Sequence, residues 1–299
     1  MKEQFYEKPR MSKAKLERLN TVNKIIEEYQ EQGYKLTLRQ LYYQLVSRDI
    51  IPNSLAEYQK LSGLLKDGRM MGIVDWDAIE DRVRVPKIPY CVKGIYDALQ
   101  REASIYRLDR MDNQNVYLEV WAEKDALSGI LYAVTRNYPV NLVINRGYSS
   151  CTAMYDAAYR LLTQTANKKE CVILYLGDLD PSGEDMVRDI RDRLEEFGLD
   201  NITVKKIGLT YEQVQVYNPP PNPAKVTDPR AKDYIKKYGS SSWEVDALRP
   251  DVLEELLRRE IKSCIDIKKL EERNKEESAQ KKILFELAAK YKKQHGTAA

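Results

Sequence analysis

Two acidic residues follow an apolar stretch of the 299-residue chain at a spacing that suits metal binding. In CVILYLGDLDPSGEDM, the apolar run leads directly to Asp178 and Asp180. A second apolar run, VYLEVWAEK, leads to Glu123. If both runs are strands of one parallel sheet, their carboxyl ends meet at the same edge, where such sheets bind ligands. The three carboxylates would then form an oxygen-only site of the kind that Mg²⁺ prefers.

Each of these acids also has an ordinary structural explanation. An Asp before a helix commonly caps it, and an acid on the surface needs no function. Glu119, on the same predicted strand as Glu123, is the alternative glutamate ligand. We place Glu123 first because it stands at the end of the strand, whereas Glu119 stands inside it. The combination of the three acids, more than any one of them, indicates a metal site.

A second pattern joins an arginine to a tyrosine in the segment LTLRQLYYQL. On a helix, Arg39 and Tyr43 are four residues apart, so the guanidinium and the phenol share one face and can contact one phosphate. A phenol keeps its proton at neutral pH, so its attack on a phosphodiester needs that proton removed or the developing charge held. Arg39 and a nearby Mg²⁺ would supply that electrostatic stabilisation. Because the chain has 21 tyrosines, a packing role is the alternative for Tyr43, and we expect Tyr42 to pack in the core.

The composition excludes several other chemistries. The single histidine, His295, leaves no basis for a Ser-His-Asp triad or a histidine-ligated metal. Four scattered cysteines predict neither a zinc knuckle nor a disulfide framework. The chain has no Walker-type motif for ATP. With 49 basic and 46 acidic residues, its net charge of +3 neither requires nor excludes nucleic acid.

The hydropathy pattern bears on where the protein works. The apolar runs are too short to cross a bilayer, and the segment MKEQFYEKPRMSK has no apolar signal core. We therefore expect a cytoplasmic protein without membrane contact.

The segment from residue 11 to about 72 has a helical pattern. Thr37 with Gln40, and Ser54 with Glu57, predict capping boxes at the starts of two helices. The segment IVDWDAIEDRVRV that follows is predicted to be extended or wing-like. Three short helices followed by such a segment favour a helix-turn-helix or winged-helix domain. The first helix is predicted from apolar residues at helical spacing: Leu16, Leu19, Val22, Ile25 and Ile26.

From about residue 115 the pattern changes to alternating strands and helices. The runs VYLEVWAEK, VNLVINRG, CVILYLGD and ITVKKIGL read as strands, with helical stretches at 125–135, 151–166 and 183–197 between them. This rhythm predicts an α/β fold with a mainly parallel sheet. The loop NPPPNPAKVTDPR cannot form a regular helix or central strand, and it is either a linker or a shaped surface loop. A helix restarts after Pro250.

These motifs carry a family resemblance. A strand ending in Glu, followed about fifty residues later by a strand ending in DxDPxG, resembles the Toprim domain of topoisomerases and DnaG-type primases. Among Toprim proteins, LTLRQLYYQL resembles the nucleophile motif of the topoisomerase VI A subunit and its meiotic double-strand-break relatives, with Tyr43 in the position of the attacking tyrosine. The segment WEVDALRP, with Glu244 and Asp246, also resembles a segment of this family. Gln40 stands where the family has an acidic residue.

The resemblance covers residues 15 to 265 and is closest to the minimal A-type proteins of bacteria and mobile elements. It implies a winged-helix-like domain over 1–92, a linker over 93–114, and a Toprim domain with a C-terminal extension over 115–265. The composition of residues 266–299 predicts a charged helical tail. The resemblance further implies Mg²⁺-dependent cleavage of double-stranded DNA through a phosphotyrosine, as in type IIB topoisomerases. Tyr43 and Arg39 would be catalytic, and the metal ligands would be Glu123, Asp178 and Asp180.

The resemblance also bears on partners. In the family, the tyrosine of one protomer works with the metal site of the other, which implies a homodimer that makes paired breaks. A separate ATPase subunit is a further partner in such systems, and a nucleoid-associated location follows from DNA as the substrate.

The helix predicted to begin at Ser54 would be the recognition helix of such a domain, and basic residues on it or before it are candidates for DNA contact. They would bind phosphates and position the duplex without reading its sequence. A solvated helix face explains the same charges equally well. The candidates are Arg48, Lys60, Lys66 and Arg69.

Two other functions remain open from the sequence. In a Toprim hydrolase, activated water rather than Tyr43 would attack the phosphodiester. In a DNA-binding partner of an unlinked ATPase, the acidic site would be inactive.

Overall fold

The N-terminal part of the protein consists of three helices, as seen in a computed structural model that describes residues 11–80 and 89–296. They are α1 (Lys13–Glu31), α2 (Leu38–Ser47) and α3 (Leu55–Met70). The capping box of Thr37 and Gln40 is confirmed in both of its hydrogen bonds. The box predicted for Ser54 and Glu57 is only half formed: the Ser54 side chain accepts from the Glu57 N–H, but the Ser54 N–H donates to the Tyr42 hydroxyl at 2.7 Å. Side-chain caps therefore fix the starts of α2 and α3.

The apolar face of α1 forms the centre of the N-terminal core. Leu19, Val22, Ile25 and Ile26 are buried, as their helical spacing predicts, whereas Leu16 is exposed. They pack against buried residues of α2 and α3 such as Leu41, Leu45 and Leu61.

The segment after α3 is held by an arginine and is not extended where the structure describes it. Arg69 donates to the carbonyl oxygens of Trp76 and Ile79 and lies over the Trp76 ring. Trp76–Ala78 form a 3₁₀ helix, and Ile79 makes a single parallel bridge to Leu36. Residues 81–85 of the predicted wing lie outside the described residues. The prediction of an extended segment is thus wrong for 73–80 apart from this bridge.

A four-stranded parallel sheet forms the centre of the second part. Its strands are β1 (Val116–Ala122), β2 (Asn141–Ile144), β3 (Glu170–Leu176) and β4 (Ile202–Gly208), in the order β2-β1-β3-β4. The helices between them are α5 (Ser128–Thr135), α6 (Cys151–Ala166) and α7 (Pro181–Glu196). The predicted α/β fold with a parallel sheet is confirmed. Because Ala122 pairs with Leu176, β1 and β3 end at the same level.

Helices cover both faces of the sheet. Alternate residues of β1 and β3 pack with α5 and with α10 (Pro250–Cys264) on one face. The other residues of these strands, including Trp121 and Tyr175, pack with α6 and α7. Both strands are therefore buried on both sides, which explains their continuous apolar sequences.

The remaining elements complete this arrangement. They are α4 (Ile95–Ile105), α8 (Tyr211–Tyr217), β5 (Asn222–Pro223), α9 (Ala231–Tyr238), β6 (Ser241–Ser242), a 3₁₀ helix at Val245–Ala247, and α11 (Ile267–His295). The proline-rich loop contains β5, which pairs with β6, so it is a shaped loop. The range expected as a linker contains α4, and α11 packs against α4. No helix in the described ranges is long and apolar enough to span a membrane.

One buried ion pair joins α11 to the segment before β1. Arg110 donates to both carboxylate oxygens of Glu277, at 3.0 and 2.7 Å, and the Leu108 N–H donates to the same carboxylate at 3.0 Å. Because both partners are largely buried, removing one charge leaves the other without compensation.

We expect Glu277→Gln to lower the free energy of unfolding by about 3 kcal/mol. The hydrogen bonds from Arg110 hold the pKa of Glu277 below its ordinary value, so this stabilisation is present above the unfolded-state pKa and is lost as the pH falls through the folded-state pKa. Urea unfolding of both proteins at neutral and acidic pH measures the difference. The exposed neighbour Glu276 provides the control, since Glu276→Gln should cost less than about 1 kcal/mol. Equal losses in the two variants would contradict the prediction.

Candidate active site

The structure brings Glu123 and Asp178 together at the carboxyl edge of the sheet. Glu123 follows β1 and Asp178 follows β3, which is the neighbouring strand. The Asp178 N–H donates to Glu123 Oε2 at 3.1 Å. The two predicted ligands therefore lie side by side because their strands are adjacent and end at the same level.

Asp180 lies at the start of α7, where it acts as the helix cap. Its Oδ1 accepts from the Gly183 N–H at 2.6 Å and from the Ser182 hydroxyl at 2.9 Å. A Cβ added to Gly183 would lie 2.2 Å from the Asp178 carbonyl oxygen, so glycine is required for this tight turn. Capping accounts for one oxygen of Asp180 and is compatible with a ligand role for the other.

Lys124 stands among the acidic residues, and sequence reasoning gave it no role. Its Nζ forms ion pairs with Asp178 at 2.8 Å and with Glu244 and Asp246 at 2.9 Å each. The only sequence signal was its position directly after the acid that ends β1. We call Lys124, Asp178, Glu244 and Asp246 the charge cluster.

Arg39 extends this charge cluster to helix α2. Its Nε lies 2.9 Å from Asp246 Oδ2, and it also forms an ion pair with Glu244. Its guanidinium carbon lies 5.7 Å from the centre of the Tyr43 ring. The structure thus places the predicted arginine and tyrosine together, as their spacing requires. Arg39 in turn contacts the acidic residues at the carboxyl end of the sheet, which we call the acidic edge. These residues are Glu123, Asp178, Asp180, Glu244 and Asp246.

Tyr43 lines a cavity of about 300 Å³ between α2 and the start of α3. The cavity wall also includes Arg39, Tyr58 and Leu55, and Leu55 is 73% exposed. Burial raises the pKa of the Tyr43 phenol, while Arg39 and a hydrogen bond with Asn222 act in the opposite direction. The phenol is therefore protonated at neutral pH, and Tyr43 is 5% exposed where it borders this cavity.

The hydroxyl of the adjacent Tyr42 has a structural role. It is buried, and its hydroxyl donates to Asn53 Oδ1 at 2.9 Å and accepts from the Ser54 N–H at 2.7 Å. These bonds hold the connection between α2 and α3. The structure therefore confirms Tyr42 as a core residue.

Gln40 occupies the position where the resembled family has an acid. Its Oε1 accepts from the Thr37 N–H at 2.9 Å, and its Nε2 donates to the Ala126 carbonyl at 3.4 Å. A glutamate could make the first bond but could not donate the second. In this chain the glutamine thus contributes a contact between α2 and the segment that follows Glu123.

Burial dominates the electrostatics of the acidic edge. It raises the pKa of Asp178, with Asp246 adding to the rise and Lys124 opposing it. Burial also raises the pKa of Glu123, and the charge of Asp178 adds to that rise. Beneath these acids, the buried Tyr175 hydroxyl has no hydrogen-bond partner among the described residues. A Cβ on Gly177 would lie 2.5 Å from this hydroxyl, so the glycine leaves space for the phenol.

The donor chemistry of this edge suits Mg²⁺. Glu123, Asp178 and Asp180 supply only oxygen ligands, the kind that a hard divalent cation prefers. Among residues 11–80 and 89–296, no three acidic, cysteine or histidine side chains converge as a ready metal site. The Lys124 ammonium and the Val245 N–H both contact Oδ1 of Asp178, and the Gly183 N–H contacts Oδ1 of Asp180. A metal would therefore bind Asp178 and Asp180 through the second oxygen of each carboxylate.

Glu119, the alternative glutamate, is fully buried within the sheet. Its carboxylate accepts from Arg160 at 3.1 and 3.2 Å, from the Trp121 indole at 2.8 Å and from the Tyr117 hydroxyl at 2.9 Å. Its hydrogen bonds therefore lie on the α6 face, and the structure favours Glu123 for the acidic edge.

The four predicted DNA-contact residues differ in their present partners. Arg48 forms a double hydrogen bond with Glu28, and Lys60 forms an ion pair with Glu57. Arg69 is turned toward the backbone after α3, whereas Lys66 is exposed on α3. Their role in DNA binding stays a prediction, and Lys66 offers the cleaner test.

We expect Lys66→Gln to reduce the dependence of DNA affinity on salt. One lost phosphate contact should lower the slope of log K against log salt by about one unit. Fluorescence anisotropy with a duplex of arbitrary sequence over a range of salt concentrations measures the slope. Lys262→Gln, at an exposed position of α10, is the matched control. An unchanged slope for Lys66→Gln would remove this residue from the DNA-contact surface.

Comparisons with known proteins found no relative of this chain. No family model matches the chain, and searches of the curated proteins and of the solved structures found no match.

Proposed function

We propose that this protein cleaves double-stranded DNA by Mg²⁺-dependent transesterification, with Tyr43 as the nucleophile. The observation that carries the proposal is the continuous series of ion pairs from Arg39 through Asp246 and Lys124 to Asp178. It places an arginine–tyrosine pair beside a cluster of carboxylates, so that groups able to stabilise a reacting phosphate and groups able to hold a metal belong to one region. The resemblance to topoisomerase VI A subunits, with a winged-helix-like domain before a Toprim domain, supports the same activity.

In the proposed reaction, the scissile phosphate enters the cavity beside Tyr43 and contacts Arg39. The Tyr43 phenol releases its proton to solvent water, its oxygen forms a bond to phosphorus, and the bond from phosphorus to a sugar oxygen breaks. The sugar oxygen takes up a proton from solvent water and leaves as a hydroxyl, so one phosphate ester replaces another and the step needs no ATP. Arg39 stabilises the charge that develops on the phosphate. Bound by Glu123, Asp178 and Asp180, Mg²⁺ would supply further charge neutralisation at the reacting oxygens.

The proposed reaction also implies partners for this protein. Paired breaks in a duplex require two sites, so a homodimer belongs to the proposal. Resealing by a topoisomerase cycle would involve a separate ATPase subunit. Action on chromosomal or mobile-element DNA would place the protein at the nucleoid.

The test is a search for covalent protein–DNA adducts. Wild-type protein is incubated with supercoiled DNA and Mg²⁺, and the products are resolved under protein-denaturing conditions with and without protease treatment. The proposal expects broken DNA that carries bound protein until the protease removes it. Broken DNA with free ends would instead establish a hydrolase, and intact DNA that is bound but never cut would indicate a binding module.

A further inference from the structure

We propose that the proline-rich loop takes part in the reaction through Asn222, whose side-chain amide donates a hydrogen bond to the Tyr43 phenol oxygen and stabilises the charge that develops there. Asn53 holds this amide in the donating orientation and is therefore a positioning residue. The inference rests on the proposed function, because it assigns a role in the attack by Tyr43. It gives a task to a loop that the sequence left as either a linker or a shaped surface loop.

The first step of the argument is the position of Asn222 in the chain's second, two-stranded sheet. Asn222 belongs to β5 and pairs with Ser242 of β6, whose hydroxyl donates to the Asn222 carbonyl oxygen at 3.4 Å. Two residues after Ser242, Glu244 forms an ion pair with Arg39. The paired strands thus bring one residue to Arg39 and another to Tyr43, the two side chains that would act on the phosphate.

The second step is the orientation of the Asn53 amide. Its Nδ2 lies 2.7 Å from Asn222 Oδ1 and 3.4 Å from the Pro221 carbonyl oxygen, and its Oδ1 accepts from the Tyr42 hydroxyl at 2.9 Å. A backbone carbonyl can only accept a hydrogen bond, so the atom of Asn53 that faces Pro221 has to be the nitrogen. The same nitrogen therefore donates to Asn222.

The orientation of the Asn222 amide follows from that of Asn53. Because Asn222 Oδ1 accepts from Asn53, its Nδ2 is the group that serves the hydrogen bond with Tyr43. An amide N–H donates to a phenol oxygen and favours the ionised phenol, whereas an amide oxygen would accept from the phenol and favour its protonated form. This hydrogen bond accordingly acts to lower the pKa of Tyr43, against the rise that burial causes.

The charged groups near Tyr43 act on it in opposite directions. Asp246 adds to the rise in the phenol's pKa, while Arg39 and Lys124 oppose it. Both cations also contact the Asp246 carboxylate, at 2.9 Å each, so part of their effect is cancelled. Asn222 differs from them because its hydrogen bond is made to Tyr43 itself, and the amide exchanges no proton in the reaction. The titratable neighbours of Tyr43 include Arg39 and Tyr42 on α2, Tyr58 on α3, Lys124 after β1 and Asp246 in the 3₁₀ helix.

Asn222→Ala tests the role of the amide in the attack. The change removes the donor and adds no charge, so DNA affinity and melting temperature should stay close to those of the wild type. Adduct should form about tenfold more slowly at neutral pH. The difference should narrow as the pH rises, because ionisation of the phenol then depends less on the amide. A rate equal to that of the wild type, or a loss of the same size at every pH, would overturn the inference.

A second measurement needs neither DNA nor metal. Protein that carries 3-fluorotyrosine, whose phenol ionises more readily than that of tyrosine, is titrated with base and followed by ¹⁹F NMR. The Tyr43 signal is identified by its absence from Tyr43→Phe. Its pKa should be higher in Asn222→Ala than in the wild type, because the donor to the ionised phenol is lost.

Asn53→Asp should raise the same pKa without touching Tyr43. A carboxylate cannot donate to Asn222, so the Asn222 amide can turn its nitrogen toward the new carboxylate and its oxygen toward the phenol. Gln59→Glu, which also converts an amide to a carboxylate at an exposed position of α3, is the matched control and should leave the pKa unchanged. An unchanged Tyr43 pKa in Asn222→Ala and Asn53→Asp would overturn the inference even if the protein cleaves DNA. Absence of adduct from wild-type protein would instead reject the proposed function.

Discussion

Tyr43→Phe protein is expected to bind supercoiled DNA as the wild type does and to form no covalent adduct. The change removes one oxygen and keeps the ring, which is packed against Tyr42 with 5.3 Å between ring centres. Burial holds the phenol protonated, so its loss removes no charge from the folded protein at neutral pH. We therefore expect the free energy of unfolding to change by less than about 1 kcal/mol. Adduct yield, measured under denaturing conditions with Mg²⁺, is the readout.

Tyr42→Phe is the matched control for this prediction. It removes the same atom from the neighbouring ring, but that hydroxyl accepts from the Ser54 N–H at 2.7 Å and donates to Asn53. Loss of these bonds should cost about 1–2 kcal/mol of stability while adduct formation persists. Adduct formed by Tyr43→Phe at the wild-type yield would reject Tyr43 as the nucleophile. Loss of adduct in both variants would show that the hydrogen bonds of the Tyr42 hydroxyl to the α2–α3 connection are also needed for activity.

The parts of the fold that local sequence encodes were predictable. The apolar runs of β1 and β3 are signals contained within a few residues, and so is a cap such as Thr37 at the start of α2. The same holds for the closeness of Glu123 and Asp178, because parallel strands bring their carboxyl ends to one edge. Local patterns thus gave both the α/β class and the position of the acidic edge.

The contacts that complete the site could not be predicted in this way. Arg39 and Glu244 are 205 residues apart in sequence, and no period connects them. The similarity of WEVDALRP to a family segment drew attention to Glu244 and Asp246, but nothing in the sequence paired them with Arg39 or Lys124. A charged side chain finds its partner through the packing of whole elements, here α2 against the 3₁₀ helix at Val245–Ala247.

The segment after α3 shows a different reason for failure. The sequence of this segment favoured an extended or wing-like structure, yet Arg69 binds the carbonyl oxygens of Trp76 and Ile79 and stabilises a turn there. An arginine that would otherwise read as a DNA contact thereby satisfies backbone groups of its own domain. For this reason a loss of DNA affinity in Arg69→Ala would not separate a phosphate contact from a folding defect.

We expect Mg²⁺ to stabilise the wild type against unfolding and not to stabilise Asp178→Asn. Binding to the folded state alone raises stability by about 2.7 kcal/mol when the metal is at 100 times its dissociation constant. Asn keeps an oxygen to accept the Val245 N–H, which lies 2.9 Å from Asp178 Oδ1, so the fold should persist. Thermal unfolding with Mg²⁺ or chelator, together with calorimetric titration of the metal, measures the effect without DNA.

Without metal, the order of stability should be reversed: as the pH rises, the wild type should lose stability relative to Asp178→Asn. Because the folded-state pKa of Asp178 is raised, chiefly by burial, its ionisation opposes folding. The stability that the protonated form provides is complete below the unfolded-state pKa and is lost as the pH rises through the folded-state pKa. Asp178→Asn removes this loss, so with chelator at neutral pH it should be at least as stable as the wild type, and the difference should vanish in acid.

Asp180→Asn separates the two roles of the neighbouring acid. Asparagine caps helices about as well as aspartate, so the hydrogen bond from the Gly183 N–H and the start of α7 should survive. If Asp180 also binds the metal through its other oxygen, this variant should lose the stabilisation by Mg²⁺ while keeping its metal-free stability. Stabilisation by Mg²⁺ equal to that of the wild type in both Asn variants would show that these carboxylates do not hold the metal. Loss in Asp178→Asn alone would restrict Asp180 to its structural role at the start of α7.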